Sequence, residues 1–166
     1  MLRICSLLFA VVLIVVGWFI VTTTAGLPAS VASHFGGGWL ANGWMARDDY
    51  LVFSLAFSTL LPLIVAAIVG WLPRLYPNLV NVPNRDYWLV PERRTTMLDT
   101  LALSGVALGA LLSIFMGGIH GLILKANAVV PPRLPAGDFW TLLIAFLVLL
   151  TVWIGVLWTR FRNVGN

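Results

Sequence analysis

The chain has 166 residues, 60% of them hydrophobic and only 10% charged, with a formal net charge of +4 and a single cysteine. Soluble domains carry about 25% charged residues, so this composition excludes an ordinary soluble globular protein, and the lone Cys5 excludes an internal disulfide or a multi-cysteine metal site. The ten Lys and Arg are scattered through short connections without interleaved aromatics, which argues against a nucleic-acid partner and for the orientation bias of membrane proteins.

Four apolar runs, at about residues 4–24, 50–72, 98–124 and 138–159, each reach the ~20 residues that cross the hydrocarbon core of a bilayer. They predict an all-α fold, a four-helix transmembrane bundle that forms a single membrane domain over 1–166. The first run follows Arg3 and ends at Thr22-Thr23-Thr24. It is longer than the apolar part of a signal peptide and three more runs follow, so it is expected to remain as a span. The next connection is rich in glycine (Gly26, Gly36, Gly37, Gly38, Gly43), which permits tight turns and predicts an ordered loop. Pro62 falls inside the second run and is expected to kink it, freeing a carbonyl that a neighbour or a water must satisfy. Pro73, Pro77, Pro83 and Pro91 break the connection that follows. Pro91-Glu92 reads as the first turn of a third helix that runs to about Lys125.

The third run carries the sharpest pattern in the chain. Gly105, Gly109, Ser113, Gly117 and Gly121 recur every four residues, and small residues in this register let helix backbones approach closely in lipid. The third helix is therefore expected to be the packing hub, against its neighbours or a second copy of the chain. At 100° per residue His120 lies about 60° from Gly105, inside the arc of the ladder and turned toward the bundle.

Charge sets the orientation. Arg3, Arg74, Arg85, Arg93, Arg94, Arg160 and Arg162 fall at one set of helix ends, and Arg47, Lys125 and Arg133 at the other. The positive-inside rule then places both termini in the cytoplasm, with the Gly-rich loop outside and a charged loop inside. Trp18, Trp71, Trp140 and Trp158 fall near the resulting interfaces, as amphipathic rings do. Lys125 is expected to snorkel to the outer interface, and Asn127 to cap the third helix.

Two polar groupings remain. His34 in the outer loop, His120, and Asp48, Asp49 and Asp138 all belong to the outer side. Two imidazoles with carboxylates are the donor set for zinc or for a proton relay, although no spacing here matches a metal motif. The simpler reading has His34 tying the loop together and His120 paired with a backbone carbonyl. On the inner side stand Asn84, Arg85, Asp86, Arg93 and Arg94 beside Tyr87, Trp88 and Glu92. Arg93 and Arg94 suit anionic lipid headgroups, whereas Arg85 and Arg93 paired with Asp86 and Glu92 would only staple the loop, the simpler reading.

Leu27-Pro28, Val31, His34-Phe35, Asn42-Gly43-Trp44 and Arg47, followed by Pro83-Asn84-Arg85-Asp86-Tyr87-Trp88, Pro91-Glu92-Arg93-Arg94 and Pro131-Pro132-Arg133, resemble a bacterial membrane family known as domain of unknown function 1648. Ala32 stands where that family often has a second proline. The resemblance spans most of the chain and extends to the first part of Sdp-type immunity proteins. It implies a role in protecting against a peptide toxin, weakened because the chain lacks the second half of those proteins. It implies no catalytic residue.

The chain is thus expected to be a non-enzymatic binding or accessory subunit of the bacterial cytoplasmic membrane, without cofactor. His34, Phe35, Trp39, Trp44, Asp48 and Asp49 would meet a peptide, a lipid, a membrane-protein partner or a second copy. The alternative is an outward-facing metal or proton site on His34 and His120, in a small transporter or membrane enzyme.

Overall fold

A computed structural model describes residues 1–164. Four of its helices are long and apolar enough to cross a membrane: Leu2–Thr24 (α1), Arg47–Leu75 (α2), Pro91–Asn127 (α4) and Ala136–Arg162 (α5). A short helix, Arg85–Leu89 (α3), sits in the connection before α4. Each span extends a few residues beyond its apolar run, because charged residues at the run's ends continue the helix into water. For α4 the excess is large. Its 37 residues reach about 55 Å at 1.5 Å per residue, against the ~30 Å of a hydrocarbon core.

The fold is not all-α. The Gly-rich connection between α1 and α2 is an antiparallel hairpin of Ser30–Phe35 (β1) and Ala41–Ala46 (β2). The strands exchange the backbone bonds that a loop over lipid would otherwise leave unmade. At the turn, Gly38 has φ +77° and Trp39 has φ +67°, a conformation that costs a non-glycine residue roughly 1–2 kcal/mol. Trp39 is held there by ring contacts with Phe139 and Trp140 of α5, at centroid distances of 5.4 and 6.2 Å.

The hub is α4, against which α1, α2 and α5 all pack. The ladder explains how. A Cβ on Gly105 would lie 2.7 Å from the Ala66 carbonyl oxygen, and one on Gly109 would lie 2.9 Å from the Pro62 carbonyl oxygen, so α2 crosses these positions at backbone contact. Gly117 receives Val16 of α1 at 3.1 Å, while Gly121 has nothing within 4 Å. Four of the five small residues are therefore occupied within the chain and leave no ladder for a second copy.

The third small residue of the ladder, Ser113, is a serine for a reason. Pro62 offers no N–H to the carbonyl of Ser58, and the helix passes through one π turn, Ala56–Leu60, just before it. The buried Ser113 hydroxyl donates to that Ser58 carbonyl at 2.8 Å. On the other side of α4, Trp153 Nε1–H of α5 donates to the Ser104 carbonyl at 3.0 Å, and Phe115 stacks on Phe146 at 4.3 Å.

At the end that holds both termini, the proline-rich connection folds onto the last turn of α5. Trp88 Nε1–H donates to the Phe161 carbonyl at 3.0 Å, and Asn84 Nδ2–H donates to the Arg162 carbonyl at 2.8 Å. These bonds satisfy carbonyls that a helix C-terminus leaves without intrahelical donors. Trp88 and Phe161 join Val80, Met97, Leu98 and Leu101 in a buried cluster.

Candidate functional site

The hairpin lies over the end of the bundle opposite the termini, and its inward residues fix it there. Leu27, Val31, Tyr50 and Ile123 form a buried cluster with Phe35 and Met45 half-buried against it. Asn127, at the end of α4, completes the attachment. Its Oδ1 accepts from the Ala32 N–H at 2.9 Å, while its Nδ2 donates to the Ala32 carbonyl at 3.0 Å and to the Ile123 carbonyl at 2.9 Å. The side chain thus acts as a third strand one residue long, as well as capping the last turn. Arg47 Nη1 donates to the Leu27 carbonyl at 3.2 Å, and the segment after α4 pairs with the far strand through Ala41 N–H to the Pro132 carbonyl at 3.1 Å.

Under this roof are two cavities, of ≈ 420 and ≈ 250 Å³, and Ser33, His34, Ile119 and Ile123 line both. The larger reaches Phe35, Trp39 and Phe139; the smaller reaches Tyr50, Phe53 and His120. His34 is exposed and pairs across the hairpin, its Nδ1 2.6 Å from Asn42 Oδ1. That oxygen only accepts, so Nδ1 carries the proton and Nε2 of the neutral ring is left as an acceptor. Gly43 is needed beside it, since a Cβ there would lie 3.1 Å from the His34 Cβ.

His120 is different. It is 2% exposed and both ring nitrogens are engaged, Nε2 with Thr23 Oγ1 at 2.7 Å and Nδ1 with Tyr50 Oη at 2.8 Å. The Thr23 hydroxyl lies 2.6 Å from the Phe19 carbonyl, to which it donates. With its one proton used there, Thr23 accepts from Nε2–H, and Tyr50 donates to Nδ1. A single neutral tautomer satisfies the whole chain of bonds. The Phe19 ring meets the imidazole edge-on at 5.3 Å.

Of the residues singled out in the sequence, His34, Phe35 and Trp39 line one cavity, and His34 and His120 line the other. Trp44 is 54% exposed, and Asp48 and Asp49 stand exposed in the first turn of α2; none of the three lines these cavities. His120 pairs with two side chains rather than with a backbone carbonyl. Asp138 pairs with Lys125 at 2.6 Å, so that lysine is held by a carboxylate. Among the described residues, no group of three or more His, Cys, Asp and Glu is placed to hold a metal ion. In the charged loop, Arg93 stacks over Tyr87 at 3.9 Å and Arg85 donates to the Val80 and Asn78 carbonyls at 3.0 and 3.1 Å. Its pairing with Asp86, at 3.7 Å and largely in solvent, is weak.

No family model matches the chain, and no solved structure matches it. A protein of Archaeoglobus fulgidus described as uncharacterized is 27% identical over 113 residues, which cover 60% of this chain and 62% of that protein. The chain is similar to a part of that relative, and the match carries no activity with it. The chain is a membrane protein of four apolar helices, with a hairpin at one end beside a histidine-lined cavity.

Proposed function

We propose that the chain is a non-enzymatic binding or accessory protein of the bacterial cytoplasmic membrane, with both termini in the cytoplasm and the hairpin outside. The cavity under the hairpin takes an apolar peptide segment. The observation that carries this reading is that two neighbouring cavities share the lining residues Ser33, His34, Ile119 and Ile123 beneath the hairpin. Aromatic walls with few convergent polar groups are what apolar ligands require, and the free Nε2 of His34 accepts one hydrogen bond from a peptide N–H. The charge bias of seven basic residues to three supports the orientation. The resemblance to domain of unknown function 1648 and to immunity proteins that face a peptide toxin supports the ligand class.

The test is to solubilise the chain gently from its native membranes and identify what stays bound by mass spectrometry. Wild type should retain a peptide at about one per chain. Ile119→Trp, which puts an indole at a position lining both cavities, should lose it while keeping its thermal stability. A species kept equally by both proteins, a lipid in place of a peptide, or nothing bound in wild type overturns the reading.

A metal or proton site on His34 and His120 is the second reading, favoured by the one cavity that both line. It requires His120 to surrender Thr23 or Tyr50, leaving a buried polar group without its partner. Stoichiometric metal in the purified protein, lost in His34→Ala and in His120→Ala, would establish it.

A further inference from the structure

A larger cavity lies at the other end of the bundle and has no part in the reading above. It is a groove of ≈ 690 Å³ between α1, α2 and α4, floored by Ala66, Ala67, Gly70 and Ala102. The small side chains make it. Where α2 and α4 touch at Gly70 and Ala102, neither carries enough bulk to fill the space beside the contact. At about 30 Å³ for a group the size of a water molecule, the groove has room for an acyl chain.

Its mouth is polar in a specific way. Arg74, in the last turn of α2, and Asp99, near the start of α4, meet at 2.6 Å with side chains 37% and 53% exposed. Both line the groove, as does Trp71 on its rim, 65% exposed. An exposed pair of this kind contributes little to stability. A tryptophan beside an arginine marks the depth of the headgroups, and there the pair presents one cation and one anion to the membrane surface.

We infer that the groove is a phospholipid site selective for a zwitterionic headgroup with a primary ammonium, as in phosphatidylethanolamine. The acyl chain lies over Ala66, Ala67 and Ala102. The phosphate takes the Arg74 guanidinium and the ammonium takes the Asp99 carboxylate, each as a charge-assisted hydrogen bond. A headgroup with phosphate alone answers only Arg74 and leaves Asp99 facing like charge. A quaternary ammonium has no N–H to donate.

The test is lipid retention by the purified full chain under native mass spectrometry, with phosphatidylethanolamine, phosphatidylglycerol and phosphatidylcholine of identical acyl chains. Phosphatidylethanolamine should be retained about tenfold better than either, the low end of what one hydrogen bond to a charged group contributes. Asp99→Asn should erase that preference, Arg74→Gln should weaken retention of all three lipids, and Ala67→Leu, which obstructs the groove floor from an exposed position, should abolish retention with the ion pair intact. Equal retention of the three lipids, a preference that survives Asp99→Asn, retention that survives Ala67→Leu, or a dimer that holds no lipid overturns the proposal. Because the groove is remote from the hairpin cavities, Ile119→Trp should leave this retention unchanged, which separates the failure of one proposal from that of the other.

Discussion

The glycine ladder allows a quantitative contrast between Gly105→Ala and Gly121→Ala. A methyl on Gly105 would meet the Ala66 carbonyl oxygen at 2.7 Å, the Gly70 nitrogen at 2.9 Å and the Gly70 Cα at 3.2 Å, where ordinary contact begins at 3.4 Å. All three are backbone atoms, which cannot rotate aside, so α2 must retreat by roughly half an ångström. A gap of that size forfeits about a quarter of the dispersion energy of each contact it opens, and overpacking of this kind costs up to about 3 kcal/mol. Replacing a helical glycine by alanine returns up to about 1 kcal/mol, so the net loss is about 2 kcal/mol. Gly121→Ala meets nothing within 4 Å and keeps only the gain, so it should be neutral or stabilising. Reversible unfolding in mixed detergent micelles, followed by circular dichroism, measures both. A Gly105→Ala protein as stable as wild type, or a Gly121→Ala protein as damaged as Gly105→Ala, would refute the close crossing of α2 on α4.

Ser113→Ala removes the donor to the buried Ser58 carbonyl and should cost about 0.6–1.7 kcal/mol in the same assay, the range for interhelical hydrogen bonds in membranes. Tyr50→Phe leaves His120 Nδ1 without its donor and should cost about 1–3 kcal/mol; in wild type, nitrogen NMR should show His120 as the neutral tautomer protonated at Nε2, and protonation at Nδ1 would contradict the assigned bonds. Asn127→Ala removes both bonds to Ala32, so amide exchange across residues 30–46 should rise at least about tenfold with the bundle still protected. Unchanged exchange there would show that other contacts hold the roof.

The four spans were legible because apolar length is a direct requirement of lipid, and the hub because only small residues admit a backbone at contact distance. The need for a donor near Pro62 was legible too, but not that Ser113 supplies it: that depends on the register between two helices, which brings together Ser58 and Ser113, 55 residues apart. The hairpin was missed for a physical reason. Val31 is the only β-branched residue in its two strands, and glycines surround its turn, so the local signal resembled a loop. What specifies it is tertiary, the Asn127 side chain and the cluster around Tyr50. Asn42-Gly43 beside His34 was the trace left in the sequence, read there only as part of a resemblance. Thr23 was read only as part of a helix end and Tyr50 was not singled out, because each looks ordinary until His120 is placed between them.

The central claim is that the roofed cavity faces out of the cell, on the side of the membrane opposite both termini. Thiol labelling of intact cells with a membrane-impermeant maleimide, in a Cys5→Ser background, tests it at two exposed positions, Trp44 in the hairpin and Asn81 before α3. The account predicts that Trp44→Cys is labelled at once and that Asn81→Cys is labelled only after the membrane is permeabilised. Labelling of Asn81→Cys in intact cells, with Trp44→Cys protected, would contradict it.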